Sequence, residues 1–265
     1  MAKEFVANFL NGFFAVFRGI VIIFSSKKMM TIAAAPVLLG LLALVCFAGY
    51  VIPHYMTIHH YFENFFIQSF GMTSQNIFVE VGLHSLVFLL VLALMFASVY
   101  VLFLTTKLLA SPFYALLARQ VLKNRGILKA DDLSFVRWMI LSFRTTAVNL
   151  IEISVFTIFG GVLFVFSFIP IVNVLAAFGF FLIMAYDSTD YSLDVLNLGL
   201  SERVKYFLSH ITQFCGFALA ISLVMLVPGL NLILFAASVA GGSDLVSRNV
   251  SRNTNRNSLK QVINL

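Results

Sequence analysis

Residues 153–186 read ISVFTIFGGVLFVFSFIPIVNVLAAFGFFLIMAY and residues 206–243 read YFLSHITQFCGFALAISLVMLVPGLNLILFAASVAGGS. The first stretch has 34 residues and the second 38, and neither contains a formal charge. Each is too long for one ordinary crossing: a bilayer core of about 30 Å takes roughly 20 helical residues, so two crossings and a turn need more than about 40. Pro170 and Asn173 break the first stretch, and Pro228, Gly229 and Asn231 break the second. Both are therefore predicted to be helical hairpins that enter the membrane and return. The breaks match each other as aliphatic-Pro-x-x-Asn-aliphatic, Ile169 to Val174 and Val227 to Leu232, a weak internal repeat.

Composition places the whole chain in the same setting. With 61% hydrophobic residues, 11% charged residues and a mean hydropathy of +1.00, there is too little charge to cover a water-facing surface. Thirty phenylalanines and one tryptophan suit lipid and say nothing about activity. The net charge of +6 does not indicate a nucleic-acid partner, because the basic residues lie in the polar segments between apolar runs, as membrane orientation demands. Cys46 and Cys215 sit in apolar stretches with no His or acid at ligand spacing, so neither a disulfide nor a metal site is expected from them. The amino-terminal run carries Glu4 and Arg18 and has no pattern of a cleaved signal peptide.

Working outward, residues 3–24 place Phe5, Phe9, Phe13, Phe17, Ile20 and Phe24 on one helical face, with Asn8, Asn11 and Arg18 elsewhere, which predicts an amphipathic interfacial helix. Thr31 to Ile52 is an uncharged first span, preceded by Lys27 and Lys28 and closed by Pro53 and His54. Residues 54–80 read as a polar, aromatic loop without Lys or Arg, and Val81 to Thr106 as a second span able to tilt. Residues 107–144 carry Lys107, Arg119, Lys123, Arg125, Lys129, Arg137 and Arg144, and Ser111-Pro112 reads as the start of a helix over Phe113 to Asn124. With both termini and the loops 107–144 and 187–205 in the cytoplasm, every Lys and Arg falls on one side. Residues 1–248 then form a single polytopic membrane domain, and 249–265 a flexible polar tail, with fraying expected from Ser243 onward.

No enzyme signature is present: there is no His-Glu-x-x-His, glycine-rich phosphate loop, Cys-x-x-Cys or Gly-x-Ser-x-Gly. His54, His59 and His60 read as a solvated interfacial group beside Tyr55, Tyr61 and Glu63, and no cofactor or metal is expected. The hairpin breaks carry more. A broken membrane helix exposes backbone N–H and C=O groups that persist only where protein, water or solute satisfies them, and a restarting helix aims its first amides at that place, which suits an anion. The other reading of Pro-x-x-Asn is a tight turn capped by the Asn side chain. Arg144 and Glu152 are a candidate ion pair or solute site, with an interfacial position as the alternative. Asp187, Asp190 and Asp194 lack the Gly and terminal Glu of an EF-hand and are expected to cap a helix.

The segment Ala110-Ser-Pro-Phe-Tyr-Ala-Leu-Leu-Ala118 resembles the Ala-x-Pro-Phe-x-x-Leu-Leu-Ala segment of the CysZ sulfate-permease family, related to the etoposide-induced 2.4 proteins. Asp190-Tyr-Ser-Leu-Asp194 is similar to that family's Asp-Tyr-Pro-Phe-Asp, and Ile169-Pro170 and Val227 to Leu232 to its two hairpin tips. The resemblance implies an all-α integral membrane protein: two long transmembrane helices, two re-entrant or hemi-penetrating hairpins, homo-oligomers in the bacterial inner membrane, and channel-like entry of sulfate. Where the family has paired arginines before the proline matching Pro36, this chain has Met30-Thr31, with Lys27 and Lys28 just upstream; after Leu-Leu-Ala it has Arg119 in place of an acid. The expected anion-binding residues are thus Lys27, Lys28, Arg119, Arg144, Asn173 and Asn231. A membrane scaffold or lipid-interacting protein of the same fold is the competing class.

Overall fold

The computed structural model describes residues 2–70, 77–128, 154, 157–167, 169–227 and 231–254. All its regular elements are helices: α1 (Ala2–Phe24), α2 (Lys27–Phe70), α3 (Ile77–Asn124), α4 (Thr157–Phe166), α5 (Pro170–Val195), α6 (Leu200–Ser209), α7 (Ile211–Met225) and α8 (Asn231–Thr254). Among the described residues, four helices are long and apolar enough to cross a membrane. The described chain divides into two compact units, one from Met1–Val37 with Ala110–Leu265, the other Leu38–Leu109.

The two breaks fall where the sequence puts them. α5 starts at Pro170, whose missing N–H is no loss at a first helical position, and α8 starts at Asn231. α4 folds back along α5, with Leu163 side-chain atoms against Gly179 and Phe180 against Gly160. The 15 residues of α7 reach only about 22 Å, short of the roughly 30 Å hydrocarbon thickness. One boundary moves: the apolar stretch from Tyr206 does not run as one helix, because the chain bends by 83° at the α6–α7 break, and α7 starts at Ile211.

Three other expectations are corrected. α2 continues through Pro53 to Phe70, so residues 54–70 are helical and not a loop. α3 likewise passes through Pro112, and the helix expected to start there is the last quarter of a 48-residue rod. An interior proline costs about 3 kcal/mol, but in lipid a full break would strand several backbone groups, so the continuous helix is the cheaper solution. The expected end at Asn124 is found, where Gly126 with φ +74° closes a Schellman turn through Ile127 N–H to Leu122 O and Gly126 N–H to Lys123 O. Finally, the stretch from Ser243 to Thr254 is not frayed: α8 runs to Thr254 with Ser243, Asp244, Leu245, Val246 and Ser247 buried, and residues 255–265 lie outside the described residues.

The Phe-rich face that the sequence assigns to α1 is not the side on which the helix packs. Its buried stripe is Gly12, Ala15, Val16, Gly19 and Ile23, while Phe5, Phe14, Phe17 and Phe24 are exposed. Gly12 lies against Gln213 O and Gly216 against Phe9 O where α1 crosses α7; Gly19 lies against Ala237 O and Gly241 against Ala15 O where it crosses α8. A Cβ at any of the four would overlap the facing backbone. Lipid offers no hydrophobic drive for helix association, so close approach through small residues supplies the contact, and the phenylalanines are left for the surroundings. Phe214, Phe217, Ala218, Ile221, Leu234 and Leu245 fill the space beside Ala15 and Val16. A second cluster joins Met29, Ala33, Leu117, Ala118 and Val121 to Tyr191, Ala236 and Ala237.

Within the other unit, Leu83, Val87 and Val91 of α3 pack on Tyr55, Ile58, Phe62 and Phe66 of α2. That layer holds the two antiparallel rods side by side.

Candidate functional site

α8 carries Asp244 on its small-residue face, and the residue is wholly buried. The α1–α8 crossing at Gly19 and Gly241 sets Arg18 beside it: Arg18 Nε donates to Asp244 Oδ2 at 2.9 Å, while Nη2 reaches Asn11 O at 2.8 Å. Arg248, one turn on along α8, donates Nε to the same oxygen at 2.8 Å. Arg125 comes from the cap of α3, where the Gly126 turn halts the helix, and its Nη2 lies 2.5 Å from Asp244 Oδ1.

Three guanidiniums thus converge on one carboxylate, a local surplus of 3 − 1 = +2. Their side chains are 23%, 44% and 42% exposed for Arg18, Arg125 and Arg248, so the cluster is open on one side. Each guanidinium carries five N–H donors in a planar fork, and one carboxylate occupies only part of fifteen or so, leaving forks that fit an oxyanion.

Polar groups extend along the same helices. Ser192 and Ser243 share a 2.6 Å hydrogen bond between α5 and α8. Asn249 donates to Tyr206 OH and to Gln213 Oε1, both at 2.8 Å. Beside them Arg203, buried, binds Asp190 Oδ2 through Nη1 at 2.7 Å and Asp194 Oδ1 through Nη2 at 2.5 Å, and its Nε donates to Leu198 O at 2.8 Å. Leu198 is placed by a second Schellman turn, with Asn197 at φ +58° and Leu198 N–H bonded to Leu193 O. Asp190 and Asp194 are therefore a clasp that ties the end of α5 to α6, and the capping role expected for them gives way to it.

Of the expected anion-binding residues, Lys27 and Lys28 are exposed in the first turn of α2, which Ser26 caps through Oγ to Met29 N–H at 3.2 Å. Arg119 is half-buried on α3. Among the described residues these three make no ion pair and none touches Asp244. Asn173 is exposed in the first turn of α5, its N–H bonded to Ile169 O, and Asn231 opens α8; both occupy restarting helix ends as the sequence indicates. Arg144 and Glu152, with Pro228 and Gly229, lie outside the described residues.

The cluster that does form was missed because its members were read singly: Arg18 as a residue off the main face, Arg125 and Arg248 as orientation signals, Asp244 as tail. The available signal was a lone cation in one apolar run and a lone anion at the end of another, which must find each other or pay a large desolvation penalty.

Helices of this length and apolarity, packed through glycines around a cationic cluster, define a multi-pass helical membrane protein. The sequence profile of the sulfate transporter CysZ/etoposide-induced protein 2.4 family matches residues 15–235, and the chain belongs to that family. It is 32% identical over 144 residues to a sulfate transporter CysZ of Pseudomonas fluorescens, covering 51% of this chain and 56% of that protein. To the sulfate transporter CysZ of Pseudomonas syringae it is 27% identical over 208 residues, 76% of this chain and 79% of the relative. To that of Pseudomonas aeruginosa it is 29% identical over 161 residues, 58% and 64%. The chain thus spans little more than half the length of the Pseudomonas fluorescens relatives it matches.

Proposed function

We propose that the protein passes sulfate or a similar small dianion across the bacterial inner membrane, as a channel-like or facilitated uptake path, with Arg18, Arg125 and Arg248 forming the site where the anion rests. The observation that carries this is the surplus of +2 around one buried carboxylate, which a dianion neutralises. Partly exposed guanidinium forks can replace hydration of a tetrahedral oxyanion, and a site open on one side allows it to leave again. The relatives' shared name, sulfate transporter CysZ, supports the same solute.

In this reading both termini and the loops 107–144 and 187–205 are cytoplasmic. Lys27 and Lys28 raise anion concentration at the cytoplasmic mouth, Arg119 and Arg144 offset charge along the route, and the first-turn amides near Asn173 and Asn231 contact the ion at the hairpin tips. The exposed phenylalanines of α1 meet lipid or neighbouring copies of a homo-oligomer.

Labelled-sulfate flux into proteoliposomes tests the proposal. Flux above empty vesicles that falls about tenfold or more in Arg125→Gln, the loss of one charge-assisted contact, supports it. Wild-type vesicles no leakier than empty ones would refute transport and leave the scaffold class.

A further inference from the structure

Far from the arginine cluster in sequence, the α2–α3 pair gathers a second group of chemistry-bearing side chains. On α2, His59 and Glu63 are one helical turn apart on the same face, with His60 adjacent; on α3, His84 is carried back toward them by the antiparallel pairing. Glu63 is the hub. Its Oε2 lies 3.3 Å from His60 Nδ1 and 3.9 Å from His59 Nδ1, and its Oε1 lies 3.2 Å from His84 Nε2. The donor atoms of His59, His60 and Glu63 all fall within 4.8 Å of one another. Glu63 and His59 are largely sheltered, each side chain 20% exposed, while His60 at 69% and His84 at 50% remain accessible from solvent.

We propose that His59, His60 and Glu63 form a binding site for a divalent transition-metal ion such as Zn²⁺, with His84 of α3 holding the second oxygen of the Glu63 carboxylate. The distances decide the class. Metal–ligand bonds of about 2.0–2.2 Å in a tetrahedron set ligand atoms roughly 3.3–3.6 Å apart, and the donor atoms of His59, His60 and Glu63, within 4.8 Å of one another on a single helix, reach that spacing by side-chain rotation alone. Two imidazoles and one carboxylate select Zn²⁺, Ni²⁺ or Cu²⁺ over Mg²⁺ and Ca²⁺, which require oxygen donors. The backbone is already held by the layer of Leu83, Val87 and Val91 against Tyr55, Ile58, Phe62 and Phe66, so the ion has only to draw side chains together. Glu63 supplies the one formal negative charge of the group, to which a dication is attracted. The sequence reading of a solvated histidine group lacked two facts, the helical continuation of residues 54–70 and the return of His84 from the other rod.

The experiment uses the full chain in detergent micelles with any affinity tag removed, titrated with Zn²⁺ by calorimetry and with Co²⁺ by visible absorption. The site predicts one ion per chain, a tetrahedral Co²⁺ spectrum, and affinity lowered about tenfold or more by His84→Ala and by His59→Ala. His84→Gln keeps a hydrogen bond to Glu63 and is expected to retain most of the binding, which separates loss of that support from loss of fold. X-ray absorption at the zinc edge should give nitrogen and oxygen neighbours at about 2.0–2.2 Å. Binding that is unchanged when His84 and His59 are both alanine, or no saturable Zn²⁺ binding by the wild-type chain, overturns the site. Neither outcome bears on sulfate flux.

Discussion

Replacing Asp244 with asparagine removes the one negative charge that three guanidiniums share, and leaves the surplus at +3 in a place sealed on one side. A guanidinium–carboxylate pair at about 4 Å between charge centres is worth on the order of 4 kcal/mol at an effective dielectric of 20. Solvent screening reduces each term here, because the arginine side chains are 23–44% exposed, so the three do not simply add. Breaking a buried pair by removing one partner costs about 3–5 kcal/mol, and Asp244 is fully buried, so that range is the expected loss of stability for Asp244→Asn. Adding Arg125→Gln returns the surplus to +2 and should recover part of the loss, a coupling of roughly 0.5–3 kcal/mol. Denaturant unfolding of the detergent-solubilised protein, run as a double-mutant cycle, reads both values. Asp244→Asn within about 0.5 kcal/mol of wild type, or a double variant no better than the single, would refute the electrostatic reasoning.

Gly216→Val places branched side-chain atoms against Phe9 O and should destabilise the α1–α7 crossing by at least about 1–3 kcal/mol, whereas Gly49→Ala, with nothing within 4 Å, should change stability by less than about 1 kcal/mol in the same unfolding assay. Arg203→Gln removes the cation that Asp190 and Asp194 share and should loosen the join between α5 and α6, visible as early proteolytic cleavage there. Lys27→Gln with Lys28→Gln should lower sulfate flux at low ionic strength and much less at high salt, since exposed lysines act over a Debye length of about 8–10 Å; a salt-independent change would assign them another role.

Much of the architecture was legible because it follows from local rules. An all-helical membrane chain is dictated by composition, and the breaks at Pro170 and before Asn231 by chain length and proline chemistry. The end of α3 at Asn124 is found as expected, with Gly126 supplying its left-handed turn. What was not legible depends on contacts far apart in sequence. The packed stripe of α1, Gly12, Ala15 and Gly19, was not singled out, because in lipid small residues mark the contact side and they stand out less in a sequence than phenylalanines. Pro53 and Pro112 were read as boundaries by a rule that holds where water can satisfy the freed carbonyls. Asp244 meets Arg18 across 226 residues, and no spacing argument reaches that far. Lys27 and Lys28 drew notice as the chain's nearest substitute for an arginine pair, yet the guanidiniums that gather do so on α1, α3 and α8.

The most direct measurement is equilibrium binding of labelled sulfate to the purified protein, wild type beside Arg18→Gln, Arg125→Gln and Arg248→Gln. Saturable binding, displaced by selenate and weakened about tenfold or more in each variant while Arg119→Gln stays nearer to wild type, is the predicted result. Sulfate held with undiminished affinity after all three arginines are replaced in a folded chain would contradict the assignment of the anion to this cluster.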